Sequence, residues 1–382
     1  MLYRLILLFV FLILFPATVV FSEPLNQGVG SSSVISTKVE KNIYGKLPSG
    51  ENVYQYVVTN DRDISITLID YGATLVSIKV PDRNGREGDI VLGYDNLEGY
   101  INDNANIGGT IGRYANRIAN GKFTINGQTY SVVKNDNGIN HIHGGIKRFN
   151  KVLWAGEEFR NGEDAGVKFH YLSKDGEEGY PGNLNVNVTY ILGVDRLTIN
   201  YEATTDKPTV INLTNHSYFN LHDAGISDVL DQYVIINADK YTPVDNNLIP
   251  TGEIQSVIGT PLDFTNWKAI GKDIDEVSPG YDFNYVLNKA SDGVLTLAAA
   301  AYDAESGREL VLYTTEPGVQ FYTGNYLDGI KGKNGVTYKK HHAFCFEPQH
   351  YPDSPNHPEF TSTLLNPGQN YKQTSIYIFA VN

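Results

Sequence analysis

Two neighbouring stretches alternate apolar and polar residues one for one. Leu184, Val186, Val188 and Tyr190 interleave with Asn185, Asn187 and Thr189, and Leu197, Ile199 and Tyr201 interleave with Thr198, Asn200 and Glu202. Successive side chains of an extended chain point to opposite faces, so each stretch is a strand with one buried and one solvated face. Gly193-Val194-Asp195 joins the two as an antiparallel hairpin. Asn126-Gly127, between Phe123–Ile125 and Thr129–Val132, predicts a second hairpin with a two-residue turn. Similar runs occupy 64–69, 73–80, 166–172, 232–237, 294–301, 309–314, 318–323 and 375–380. Helical spacing is confined to short segments around 94–101 and 266–277. The 26 tyrosines and 37 glycines suit a sheet protein with many turns. No internal repeat and no long linker divides the chain. The expectation is one large all-β domain, an antiparallel β-sandwich.

The first 22 residues read as a cleaved export signal. Arg4 precedes an unbroken apolar run from Leu5 to Phe15, Pro16 breaks it, and Val20-Phe21-Ser22 leads into the expected cleavage before Glu23. The run is shorter than the roughly 20 apolar residues of a spanning helix. The expected organisation is a signal peptide at 1–22, an N-terminal leader at 23–44 and a β-sandwich domain at 45–382. Export would deliver the protein to the periplasm or the medium, with no membrane contact once the signal is removed. Cys345 is the only cysteine, so no intrachain disulfide forms and stability rests on the core. A net charge of -13 without a basic run makes nucleic acid a poor partner and favours neutral small molecules.

A carboxylate stands in surroundings that repel it, and a histidine upstream is its candidate partner. Glu347 interrupts Phe344-Cys345-Phe346-Glu347-Pro348-Gln349-His350, and His216 lies in Asn212-Leu213-Thr214-Asn215-His216-Ser217-Tyr218-Phe219-Asn220. An unpaired buried carboxylate costs several kcal/mol or shifts its pKa. Glu347 therefore has a protein partner, or it faces a polar cavity where a substrate supplies the missing bonds. The second alternative makes Glu347 and His216 a base and an acid. Gly108-Gly109-Thr110-Ile111-Gly112-Arg113 lacks the context of a dinucleotide fingerprint, and the chain has no P-loop, HExxH or GxSxG. His141-Ile142-His143 would place two imidazoles on one strand face, but no glutamate follows through Asn150, so no metal is expected. His341-His342 would point to opposite faces of a strand, which suits solvation or packing.

Five segments carry a more specific signal: Gly112-Arg113-Tyr114-Ala115-Asn116-Arg117-Ile118, Asn140-His141-Ile142-His143-Gly144-Gly145, Thr214-Asn215-His216-Ser217-Tyr218-Phe219-Asn220-Leu221, Gly280-Tyr281-Asp282-Phe283-Asn284-Tyr285 and Phe344-Cys345-Phe346-Glu347-Pro348-Gln349. Together and in this order they resemble the aldose 1-epimerases, the galactose mutarotase family, from about residue 45 to the end. The resemblance implies a galactose mutarotase-like supersandwich with an open sugar cleft. It also implies cofactor-free interconversion of α and β hexose anomers; independently of it, no metal is expected, and the protein is expected to be a monomer or homodimer. By motif, Glu347 corresponds to the general base and His216 to the general acid, with Arg117, His143, Asp282 and Asn116 as sugar contacts. Phe283 and Pro348 depart from the family's frequent histidine and threonine, and Phe283 bears on substrate preference more than on reaction type.

These residue types suit the chemistry. Opening a pyranose takes a proton from the C1 hydroxyl and gives one to the ring oxygen. Glutamate, with an unperturbed pKa of about 4.3, is ionised at neutral pH, and a histidine of about 6.5 is held protonated by a nearby carboxylate. Arg117 donates paired hydrogen bonds and Asp282 accepts them. Simpler readings stand beside these: Arg117 as an ion-pair partner, His143 as a buried backbone-bonded histidine, Asp282 as a turn cap. Arg113 reads as structural, His350 and His357 as packing or rim residues, and Tyr218, Phe219 and Phe321 as core, with stacking on a sugar's apolar face the alternative for a ring that faces the cleft. Sequons begin at Asn187, Asn212 and Asn215, and a glycan on Asn215 would obstruct the cleft, so Asn215 is expected unmodified. Two other functions share these residues: a non-catalytic sugar-binding sandwich, and a glycosidase or lyase using Glu347 with Asp282.

Overall fold

The structure, a computed structural model, describes residues 37–162 and 164–382. The expected signal peptide and residues 23–36 of the expected leader lie outside them. The remaining leader residues belong to the domain, because the strand Lys38–Lys46 pairs along its length with Asn52–Thr59.

Alternation builds the largest sheet. Leu184–Leu192 and Arg196–Thr205 pair in antiparallel register from Leu184↔Thr205 to Leu192↔Leu197. Leu184, Val186, Val188 and Tyr190 are buried, while Asn185 faces solvent. This hairpin sits within a nine-stranded sheet ordered Ala155–Asn161, Asp164–Ser173, Leu184–Leu192, Arg196–Thr205, Tyr371–Val381, Arg308–Thr314, Thr296–Tyr302, Tyr233–Ile236, Lys268–Ala269. A five-stranded meander runs in chain order from Lys38–Lys46 to Glu87–Asp89. A third sheet, also five-stranded, is ordered Gln255–Ser256, Lys240–Tyr241, Asp282–Val286, Gly318–Tyr322, Cys345–Gln349. One apolar cluster draws Ile66 and Leu68 from the meander, Val186 and Ile199 from the large sheet, and Phe321 and Phe346 from the third. Each such fully buried side chain contributes about 1.5–3 kcal/mol, so shared burial holds the sheets face to face.

The helix expected at 94–101 forms as Leu97–Asn102, capped by Asn96, whose Oδ1 accepts from Gly99 N–H. The one expected at 266–277 does not. That segment holds the short strand Lys268–Ala269 and a 3₁₀ turn at Ile274–Glu276. Ile270 and Gly271 N–H donate to Gln232 and Leu230 carbonyls, so the backbone donors that a helix requires are committed to another segment.

Candidate active site

Two tethers set His216 opposite Glu347. Phe219 and Phe344 exchange backbone N–H···O bonds of 2.7 and 2.9 Å. Further along, Asn212 Oδ1 accepts from His350 N–H at 3.0 Å and its Nδ2 donates to His350 O at 3.2 Å. The segments run antiparallel between these ties. Stepping back from Phe219 to His216 equals stepping forward from Phe344 to Glu347, and the pair comes level. His216 Nε2 and Glu347 Oε1 lie 3.7 Å apart, longer than a direct hydrogen bond.

Strand register supplies the next residues. Glu347 lies opposite Gln320, Phe346 opposite Phe321, and Asp282 opposite Tyr322. Phe321, Phe344 and Phe346 enter the core from one face of this sheet. Glu347, Gln320 and Asp282 share the other, where Gln320 Nε2 donates to Asp282 Oδ1 at 2.7 Å.

The opposite wall comes from a short ladder between Arg117–Ile118 and His141–Ile142. The strand ends there because His143 turns to φ 51°, and Asn116 sits at φ 59°. Both types tolerate this left-handed region better than most, at a cost retained mainly at functional positions. Gly144 follows at φ +85°, and a Cβ there would collide with Gly112 O. His143 Nδ1 accepts Asn116 N–H at 3.2 Å, so its Nε2 carries the ring proton and can donate to a sugar hydroxyl. Arg117 Nε pairs with Asp136 Oδ2 at 2.9 Å, which orients the guanidinium along the cleft.

Asn116, Arg117, His143, His216, Asp282 and Glu347 therefore all line one cleft of about 820 Å³, together with Tyr71, Arg148, Lys151, Tyr218, Tyr322 and Tyr326. Glu347 is 2% exposed, and its Oε2 has no hydrogen-bond partner. His216 is 4% exposed and stacks on Tyr218 with ring centroids 4.9 Å apart. Cys345 Sγ lies 3.6 Å from His216 Nδ1, and burial raises the thiol pKa well above its ordinary value, so the sulfur there is a protonated thiol.

The charge states expected from sequence are corrected by this burial. Desolvation pulls His216 down to about 4 rather than holding it protonated. Desolvation, then the nearby Asp282, lifts Glu347 well above the ordinary carboxylate range, while Arg117 opposes the rise. Burial likewise raises Asp282, against the pull of Arg117 and Gln320. With protein groups alone the pair is favoured in its neutral form. A hydroxyl donating to Glu347 and an oxygen accepting from His216 would both favour the charged form.

His143, His216 and Glu347 offer ligand atoms all within 4.8 Å of one another, a metal-like spacing. The surrounding bonds do not fit that use. A metal-bound imidazole donates its other N–H, whereas His143 Nδ1 accepts one. His141 does not share the face of His143, contrary to the strand expectation. It bonds Val133 O and Tyr180 OH at 2.6 Å each, and is structural. Arg113 is structural as expected, donating to Pro181, Gly182 and Ser173. His350 pairs with Glu316 at 2.6 Å, and His357 lies beside Asp353 and Glu359. Tyr218 and Tyr322 face the cleft, while Phe219 and Phe321 belong to the core. Asn212 and Asn215 are buried with their amides committed to protein carbonyls, which leaves neither reachable in the folded chain. Gln320, Arg148 and Lys151 escaped the sequence reading. For Gln320 a signal existed, since it interrupts an apolar strand just as Glu347 does.

Residues 54–377 match the family model described as aldose 1-epimerase. Galactose mutarotase from Bos taurus is 45% identical over 345 residues, covering 90% of this chain and 99% of that protein. Aldose 1-epimerase from Escherichia coli K12 is 38% identical over 340 residues, covering 87% and 96%. Among solved structures, an aldose epimerase homologue from C. elegans superposes with a TM-score of 0.77 at 33% identity, covering 84% of this chain and 97% of that one. With such matches running nearly end to end, the chain belongs to the aldose 1-epimerase family.

Proposed function

We propose that this protein interconverts the α and β anomers of free aldohexoses, galactose and glucose first among them. The observation that carries this reading is Glu347: a buried carboxyl with an unpartnered oxygen, set 3.7 Å from a buried imidazole on the wall of a polar cleft. Glu347 takes the proton of the C1 hydroxyl as His216 gives one to the ring oxygen, and the C1–O5 bond breaks to leave an open-chain aldehyde. Rotation about C1–C2 presents the other carbonyl face. Closure returns both protons with the roles reversed, so no electrons and no group leave the sugar. Arg117, Asn116, His143 and Asp282 hold the hydroxyls meanwhile, His143 as donor and Asp282 as acceptor.

The test is polarimetry on freshly dissolved α-D-galactose. The protein should speed the drift in rotation at catalytic concentration, and a folded sample that leaves the drift unchanged contradicts the reading. A glycosidase would instead release reducing ends from a glycoside. We also propose that residues 1–22 direct export of a monomer or homodimer. N-terminal sequencing of secreted protein should begin at Glu23.

A further inference from the structure

One cation in the cleft is not accounted for by the protein around it. Arg148 lines the same cleft as His143 and His216, is half-buried, and has a buried Nε without a hydrogen-bond partner. Among the described residues it forms no ion pair. The two carboxylates that face it are committed elsewhere. Asp103 accepts from Tyr94 OH, Ala105 N–H and Ile107 N–H at 2.8 Å each. Glu178 accepts from Ile146 and Lys147 N–H at 2.8 and 2.9 Å. Arg113 shares the unpartnered Nε but differs at its terminal nitrogens, both of which donate to carbonyls and hydroxyls. Lys151, in the same lining, donates to Tyr100 O and Ile101 O at 2.7 and 3.1 Å, which leaves one ammonium hydrogen.

We propose that Arg148 and Lys151 form an anion subsite for an aldose bearing an oxyanion at C6, the end of the ring remote from C1. This rests on the epimerase reading of the cleft. Arg148 and Lys151 line the same cleft and are more exposed than Glu347 and His216, so with C1 at that pair a substituent remote from C1 is the one they would meet. A guanidinium fork matches a carboxylate or a sulfate through two parallel N–H···O bonds. A half-buried cation without a partner is costly, and an anionic substituent removes that cost. The cleft volume of about 820 Å³ is toward the upper end for drug-sized ligands, so a hexose with an added anionic group fits. The net charge of -13 repels anions at long range, so the preference must come from contact.

The experiment compares initial anomerisation rates of α-D-galactose and α-D-galacturonate for the unaltered protein, Arg148→Gln and Arg148→Lys. In Arg148→Gln the ratio of kcat/KM for galacturonate over galactose should fall by about tenfold or more, chiefly through KM. Arg148→Lys should recover part of it, and added salt should lower the ratio for the unaltered protein. Galactose 6-sulfate, run alongside, separates the two sources of the oxyanion: the favoured anion is the one whose ratio falls more in Arg148→Gln. A ratio that Arg148→Gln leaves unchanged overturns the subsite, as does a loss shared equally by all the sugars. Failure on galactose itself would remove the epimerase reading and the subsite with it, so the two failures are distinguishable.

Discussion

The nine-stranded sheet and the sheet carrying Glu347 use the same alternation to opposite effect. Along Leu184–Leu192 the polar set faces outward, and water satisfies it. Along Cys345–Gln349 all five residues are buried, and Glu347 faces the interior of the cleft. There, among the described residues, Glu347 Oε2 has no hydrogen-bond partner. Such a group costs about 1–3 kcal/mol. A fold retains that cost where a ligand supplies the bonds, and the contrast separates a strand that only supports the molecule from one that acts.

The comparison breaks most sharply at the acid–base pair. Glu347→Gln and His216→Asn should each slow anomerisation by roughly 10²–10⁴-fold, read by polarimetry, with the fold intact by circular dichroism. A Gln variant as fast as its parent would make Glu347 a structural residue like Asn187. Next in size is Asp282→Asn, which removes a charged acceptor from the cleft. It should raise KM for galactose by about tenfold, with a smaller effect on kcat.

Stability should move the other way. Burial raises the folded-state pKa of Glu347 above its ordinary value. Its stabilising contribution is complete below the ordinary carboxylate range and is lost as pH rises toward the raised value. Glu347→Gln escapes that loss, so urea denaturation at about pH 8 should show it more stable than its parent by about 1–3 kcal/mol, with the gap narrowing near pH 4.5. A gap that does not depend on pH contradicts this. The smallest effect belongs to the solvated face. Asn185→Ala should change stability by less than about 0.5 kcal/mol and leave anomerisation unaltered.

Much of this was legible in the chain. The hairpins were readable because period-two alternation and Asn126-Gly127 are local signals. Glu347 was readable because a carboxylate next to Phe346 and Cys345 conflicts with its surroundings, and His216 because its motif resembles the family's. The segment 266–277 was misread because its apolar spacing is real, yet the Gln232 and Leu230 carbonyls compete for its backbone donors. The left-handed turn at His143 was not visible either, since it depends on the close approach of Gly144 to Gly112. The charge states of the pair were reversed because proximity can be inferred from motif, whereas desolvation requires the finished fold. Arg148 carried no local signature. Only the surrounding carboxylates, each already bonded elsewhere, reveal that among the described residues it has no ion-pair partner.

The central claim is that Glu347 and His216 act on two oxygens of one sugar. A crystal structure with galactose bound to the Glu347→Gln variant tests it directly. The account predicts O1 within about 2.6–3.2 Å of residue 347 and O5 within the same reach of His216 Nε2. A ring bound with its anomeric end pointing out of the cleft, away from both side chains, would contradict it.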